Sequence, residues 1–263
     1  MRKTTRLAGL ALGSALALCG AARADEWDFA NDTDNGVSTD NVLFHGSEQI
    51  HDLAYLLGIQ LADQDWYLVA SHAFSSYQAV IDGMTGDLDL ASTNMQRLDA
   101  SGSIVLGNAL VTDFGGNLSL DWQQGDVASP VASYVRVQGP ACGTSCNSFD
   151  TYRMRFYETT YTIPRFNNSG TQATVLLVQN ATDRTCDVTY YFLAATGSLI
   201  SASASQLTTR ELEVIPTTSV AANQSGSVRI AHTCGFGGLS GKAVALEPAT
   251  GFTFDTQMVH RPH

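Results

Sequence analysis

Residues 152–157 read Tyr152-Arg-Met-Arg-Phe-Tyr157, so that Tyr152, Met154 and Phe156 alternate with Arg153, Arg155 and Tyr157. Successive side chains of a β-strand point to opposite faces, and this stretch therefore lays three apolar groups on one face and both arginines on the other. The same period of two returns elsewhere along the chain. Tyr77, Ala79 and Ile81 alternate with Gln78, Val80 and Asp82, and Leu212 and Val214 alternate with Glu211 and Glu213. Further runs at 66–69, 104–111, 118–122, 134–137, 173–178, 188–193, 228–232 and 243–246 are separated by clusters of Gly, Asn, Asp and Ser, the pattern of strands joined by turns. The one helix-like spacing, Ile50, Leu53, Leu56 and Leu57, is short for a stable helix. The fold class read from these patterns is all-β.

The first residues are of a different kind. Arg2, Lys3 and Arg6 precede an apolar stretch from Leu7 to Leu18, and Ala22-Arg23-Ala24 offers a cleavage site before Asp25. This is the pattern of a cleaved signal peptide over 1–24. About a dozen apolar residues fall short of the roughly 20 that a spanning helix needs. Cys19 follows Leu18, where a lipoprotein signal usually carries a small residue, so lipidation is the weaker alternative. The expected location is outside the cytoplasm of a bacterium: periplasmic, on the outer surface or extracellular.

Removing 1–24 takes away four basic residues and no acidic ones, leaving 10 basic against 25 acidic groups, a net charge of −15. Nucleic acid and anionic membrane surfaces are poor partners for such a chain. Four cysteines remain, Cys142, Cys146, Cys186 and Cys234. An even number in an oxidising compartment implies disulfides, a local Cys142–Cys146 loop and a long-range Cys186–Cys234 bridge. Cys186 shares a face with Val188, Tyr190 and Phe192, and Cys234 shares one with Val228, Ile230 and His232, so both lie on apolar faces. The rival reading is a four-cysteine zinc site, but one C-x3-C followed by gaps of 39 and 47 residues lacks the paired knuckles such sites use.

The mature length admits two domains, with the boundary near Glu158 to Pro164. The expected arrangement is two tandem β-sandwich domains, 25–160 and 161–258, followed by a frayed tail, 259–263. The second is read as an immunoglobulin-like sandwich closed by the Cys186–Cys234 bridge.

Motifs of catalysis are missing: the chain contains no G-x-S-x-G, H-E-x-x-H, P-loop, dinucleotide fingerprint or C-x-x-C-H. His45, His51 and His72 could be combined with Asp52 and a serine into a triad, but with 6 histidines such a combination is easily found, and edge-strand histidines are the simpler reading. Carboxylates point to metal instead. Asn31-Asp-Thr-Asp-Asn-Gly36 places oxygen ligands at alternate positions before a glycine, without the distal glutamate of an EF-hand. Asp63 and Asp65, and separately Asp87 and Asp89, are two apart and would share a strand face. Asp32, Asp34, Asp63 and Asp65 are the candidate calcium ligands, with solvated turn and cap carboxylates as the competing reading. Trp122, beside Gln123 and Gln124, is the candidate surface ring for ligand stacking, and core packing is the reading preferred for Trp66.

Several stretches of the first half are similar to the bacterial pre-peptidase C-terminal domain: Asn41-Val-Leu-Phe-His-Gly46, Gln49-Ile-His-Asp52, Ala62-Asp-Gln-Asp-Trp-Tyr67, Ser76-Tyr77 leading into Ala79-Val-Ile81, Gly86-Asp-Leu-Asp-Leu90 and Leu98-Asp-Ala-Ser-Gly102. The resemblance covers roughly 80 to 110 residues. It implies a jelly-roll-like β-sandwich carried as an accessory module by secreted bacterial proteins, often beside a protease, with some members binding calcium or insoluble polymers. No protease domain accompanies it here. The second half, with Ile163-Pro-Arg-Phe-Asn-Asn-Ser-Gly-Thr-Gln172 and Gly241 to Asp255, resembles tail regions of uncharacterised secreted bacterial proteins.

Together these readings lead to two expectations. One is a non-catalytic binding or accessory protein that engages an extracellular polymer, cell-surface or protein partner, requires no cofactor and takes calcium as an optional one. The other is a structural, self-assembling homo-oligomer whose sheet edges pair.

Overall fold

The computed structural model describes residues 34–53, 64–86, 88–112, 117–128, 130–139 and 149–261. The signal segment 1–24 lies outside the described residues, as do Leu56 and Leu57 of the helix-like stretch. Ile50, which begins that stretch, stands in a β-strand with its side chain largely exposed. The helical spacing there is overridden by pairing with a neighbouring strand.

Among the described residues, ten strands form the first sandwich: β1 (Val42–Leu43), β2 (Glu48–Asp52), β3 (Gln64–Ser71), β4 (Ser75–Asp82), β5 (Asn94–Leu98), β6 (Val105–Asn108), β7 (Leu110–Val111), β8 (Leu118–Gln124), β9 (Val131–Gln138) and β10 (Thr151–Glu158). They are ordered β1-β3-β9-β5-β6 in one sheet and β2-β10-β4-β8-β7 in the other. Among the described residues, only β1 and β3 run parallel. Residues 104–111, a single strand by their sequence pattern, are divided: β6 pairs β5 in one sheet and β7 pairs β8 in the other. The crossover occurs at Ala109, whose N–H donates to Met95 O at 2.8 Å. Between the sheets lie Val69, Tyr77, Ile81, Met95, Leu120, Val135, Met154 and Phe156, all buried.

Nine strands form the second sandwich: β11 (Tyr161–Asn167), β12 (Ala173–Asn180), β13 (Cys186–Ala194), β14 (Leu199–Leu207), β15 (Leu212–Pro216), β16 (Ser225–His232), β17 (Leu239–Glu247), β18 (Phe252–Gln257) and β19 (Val259–His260). Their orders are β14-β13-β16-β11-β19 and β15-β12-β17-β18, all antiparallel. Ile163, Leu176, Val178, Tyr190, Phe192, Val228 and Ile230 fill the space between them. A 3-10 turn at Thr217–Ser219 is the one helical element among the described residues. No helix among them is long and apolar enough to cross a membrane. The tail expected to fray is tied down: β19 pairs β11, and Arg261 donates from its N–H to Thr160 O at 2.9 Å.

The Cys186–Cys234 disulfide is present, with Cα atoms 5.0 Å apart. It does not cross between sheets. β13 pairs β16 with Val188 opposite His232, and two residues further the same register sets Cys186 opposite Cys234. The bridge therefore closes the end of a ladder within one sheet. Cys142 and Cys146 lie outside the described residues.

Only Thr159 and Thr160, both buried, connect β10 to β11. The two sandwiches meet along a seam with its own apolar cluster of Phe74, Tyr191, Leu193 and Ala231. Polar contacts surround it. Thr189 donates to Gln123 Oε1 at 2.7 Å, Arg261 pairs with Glu158 at 3.1 Å, and His232 Nε2 lies 2.8 Å from Thr159 O.

Candidate functional site

At one end of the first sandwich the apolar core gives way to a polar layer. The inward face of β3 carries Asp65, Tyr67 and Val69, and β10 opposes it with Tyr152, Met154 and Phe156. His51 on β2 is the register partner of Tyr152. Asp34 joins them through its backbone, where its carbonyl accepts the Trp66 N–H at 2.7 Å. Asp34, His51, Asp65 and Tyr67 are 0% exposed and Tyr152 is 1% exposed.

The His51 ring is held by contacts on both sides. It stacks on Tyr152 at a centroid distance of 5.8 Å, meets Tyr67 edge-on at 5.0 Å, and places Nε2 3.0 Å from Gln49 Oε1. Nδ1 is thereby directed at the two carboxylates, 3.9 Å from Asp34 Oδ2 and 3.9 Å from Asp65 Oδ1. Tyr152 donates a short hydrogen bond to Asp65 Oδ2, and the Tyr67 and Tyr152 hydroxyls are 2.6 Å apart. Burial, with the Asp65 charge next, pushes the Tyr152 phenol well above its usual value, so it stays a protonated donor.

Two carboxylates this buried and this close call for positive charge beside them. An imidazolium supplies one unit and a divalent cation two. One ligand atom from each of Asp34, His51 and Asp65 lies within 4.8 Å of the others, which leaves room for an ion at bond lengths of about 2.0–2.6 Å. These three residues can hold a metal ion. The second nitrogen of His51, engaged by Gln49, gives the outer-shell support that metal-bound histidines use.

Of the four aspartates expected to bind calcium, Asp34 and Asp65 come together here; Asp32 and Asp63 lie outside the described residues. Asp87 also lies outside them, and Asp89 follows the competing reading: its exposed carboxylate caps a turn, accepting from Ala91 N, Ser92 N and Ser92 Oγ. Those bonds lower its pKa. His51, Tyr67 and Tyr152 were not among the expected site residues. The sequence carries no signal for His51: β2 leaves Ile50 67% exposed and buries the histidine beside it.

Trp122 is not a surface ring. It is 6% exposed, stacks on Tyr77 at 5.4 Å and lies under the Arg97 guanidinium at 5.0 Å. Leu118, Leu120 and Trp122 share the inward face of β8, and the polar Gln123 and Gln124 that follow belong to the strand's half-exposed end. Trp66 is buried as well, packed with Leu98 and Tyr134.

A cleft of about 540 Å³ opens at the seam between the sandwiches. Gln78, Ser119 and Asp121 line it from the first sandwich, Arg184 and Phe236 from the second. Arg184 pairs with Asp121 across the seam at 3.2 Å.

No family model and no curated protein matches this sequence. Among solved structures, a glycosyl hydrolase family 2 member from Bacteroides cellulosilyticus aligns at TM-score 0.22 and 8% identity over 74% of this chain and 26% of its own. A calcium-binding mutant of beta-glucuronidase 2 from Bacteroides uniformis aligns at TM-score 0.22 and 12% identity over 78% of this chain and 27% of its own. The chain spans about a quarter of the length of these structures, and likeness at this level bears on neither activity nor ligand.

Proposed function

We propose that this chain is a secreted, non-catalytic binding protein that engages an extracellular polymer or surface partner, with a metal ion bracing its first sandwich. The observation that carries the reading is the cleft at the seam, which takes its lining from both sandwiches. Small-molecule and cofactor sites favour such junctions. The signal segment and the disulfide support an oxidising, extracytoplasmic location. The non-catalytic assignment rests on the sequence, which lacks the common catalytic motifs. Calcium or manganese suits the oxygens of Asp34 and Asp65; zinc suits the nitrogen of His51.

The test is retention of the oxidised full chain on insoluble polysaccharides, collagen and bacterial envelopes, each with added calcium, added zinc or a chelator. Saturable retention on at least one support is expected. Retention on none of them contradicts the proposal.

A second reading, self-assembly, is favoured by one surface. On the outward face of the β15-β12-β17-β18 sheet, Leu212 and Val214 are each 55% exposed and Leu246 is 38% exposed. Cross-strand partners Leu177 and Val214, and Val175 and Val244, continue that face. Light scattering on the eluting chain would show a concentration-dependent dimer if two copies cover it, and monomer throughout if they do not.

A further inference from the structure

Strand β14 closes one end of the β14-β13-β16-β11-β19 sheet, and among the described residues nothing pairs its other side. An unpaired strand edge is a row of open backbone donors and acceptors, which proteins usually guard with charge, proline or short length. The other sheet ends of this chain are guarded in those ways. β1, β7 and β19 have two residues each and β6 has four, whereas β2 carries Glu48 and Asp52, β15 carries Glu213 and Pro216, and β18 carries Asp255. β14 has nine residues and neither charge nor proline among them. Residues 188–209, which include it, hold no charged side chain, in a chain of net charge −11.

The register with β13 fixes which peptide groups are open. The Asp187 carbonyl accepts the Thr233 N–H at 3.0 Å, so the peptide groups of Asp187 face β16. In an antiparallel ladder this facing alternates residue by residue, which turns Val188, Tyr190 and Phe192 toward β14. Their partners Ser205, Ser203 and Ser201 commit their own peptide groups to that ladder. Those of Ala202, Ala204 and Gln206 point the other way, toward the open edge, and all three residues are exposed. Ile200 is the extra residue where the register shifts, so the regular edge runs from Ser201 onward.

The sequence of this edge matches itself. Ser201-Ala-Ser-Ala-Ser205 reads identically in both directions about Ser203. A second copy laid antiparallel on that centre places Ala202 of each copy opposite Ala204 of the other, Ser201 opposite Ser205, and Ser203 opposite itself. Ala202 and Ala204 both present open peptide groups, so this register exchanges hydrogen bonds at those pairs and puts Ser203 on the closer, non-hydrogen-bonded pair at the two-fold axis. Moving the axis to Ala202 or Ala204 also pairs open peptide groups but sets Ile200 against Ala204 or Ala202 against Gln206, leaving fewer identical pairs.

We infer that two copies of this chain pair through β14, antiparallel about Ser203, joining their five-stranded sheets into one. Copies of an acidic chain repel each other, and this uncharged run is where they meet without setting like charges face to face. Short side chains let the two edges approach, and serine hydroxyls hydrogen-bond across such pairs. Each copy has one edge of this kind and the pairing uses it in both, so the assembly closes as a dimer instead of growing into a fibre. The surface is separate from the apolar β15-β12-β17-β18 face of the self-assembly reading, and the inference does not depend on the binding reading.

The experiment is sedimentation velocity of the oxidised full chain over a concentration series, with hydrogen exchange followed at the highest concentration. A reversible dimer is expected, with the amides of Ala202, Ala204 and Gln206 slowed as it forms. Ala204→Pro removes a donor that faces the open edge and leaves the β13 ladder intact, and Ser203→Lys sets like charges opposite each other at the axis. Each should weaken association about ten-fold or more, with circular dichroism melts showing the variants folded. Ser203→Cys should form a disulfide-linked dimer under mild oxidation, because the close pair at the axis brings the two Cα atoms within bridging distance, and Gln206→Cys should not. Val214→Glu, on the apolar face, should leave the dimer unchanged. Monomer at every concentration overturns the inference, as does a dimer that survives both Ala204→Pro and Ser203→Lys or one that cross-links equally through Gln206→Cys. A dimer lost only in Val214→Glu overturns it too, and leaves the face-to-face mode of self-assembly standing; retention on polymer supports tests the binding reading separately.

Discussion

The two sandwiches are secured by opposite means. In the first, a layer of ionisable and hydroxyl groups, Asp34, His51, Asp65, Tyr67 and Tyr152, lies fully buried between the sheets. In the second, the core is apolar, its buried polar groups Asn168, Thr174, Thr217 and Asn180 satisfy local backbone and side-chain partners, and a covalent bond closes one ladder. An apolar core with a disulfide gains stability from burial and from restriction of the unfolded chain. A buried ionic layer gains little stability unless its charges are matched. Its presence in only one of two similar architectures marks the first sandwich as the one adapted to hold something.

The largest expected effect strikes that layer. Asp65→Ala removes the acceptor of Tyr152 and one carboxylate facing His51, and should cost about 3–5 kcal/mol in chemical denaturation. Hydrogen exchange should rise in β2, β3 and β10 and stay unchanged in β12 and β17. Uniform exchange across both sandwiches would break the contrast drawn between them. Replacing Cys186 and Cys234 together by alanine should cost about 2–4 kcal/mol, with the exchange confined this time to β13 and β16.

Acid should also act on the seam. His232 is buried, with Nε2 2.8 Å from Thr159 O and Nδ1 accepting the Cys234 N–H at 3.1 Å, an arrangement that only the neutral ring satisfies. Burial, against the Thr159 contact and with the nearby His260 and Arg184 charges, depresses its pKa to about 4. The unfolded chain therefore binds this proton first as pH falls, and stability declines between about pH 6.5 and pH 4 by roughly 3 kcal/mol. His232→Gln should remove that slope when the two unfolding curves are compared across pH. The smallest effect belongs to Asp89→Asn at its exposed turn, where no shift in the thermal midpoint should be resolved.

The strands were legible where one face is apolar and the other polar, as at 152–157 and 77–82. They were not legible where that contrast is weak: Leu199–Leu207 alternates Ser and Ala, and β14 forms because it lies at the edge of its sheet against β13. Trp122 was legible in principle, since Leu118 and Leu120 on its own strand already show which face turns inward. Two of the three metal-holding residues, Asp34 and Asp65, were readable from the sequence. His51 was not, because Glu48 to Asp52 offers no apolar face and the partners of His51 come from distant strands. The cysteine faces could be read from periodicity, whereas the adjacency of their strands is a property of the sheet order alone.

The most direct test measures metal content and stability together. Purified full chain should take up about one equivalent of calcium, zinc or manganese by elemental analysis after dialysis. Chelation should lower its melting temperature and raise exchange in β2, β3 and β10, and His51→Ala should abolish both uptake and chelator sensitivity. A chain that takes up none of the three ions and melts identically with and without chelator contradicts the account.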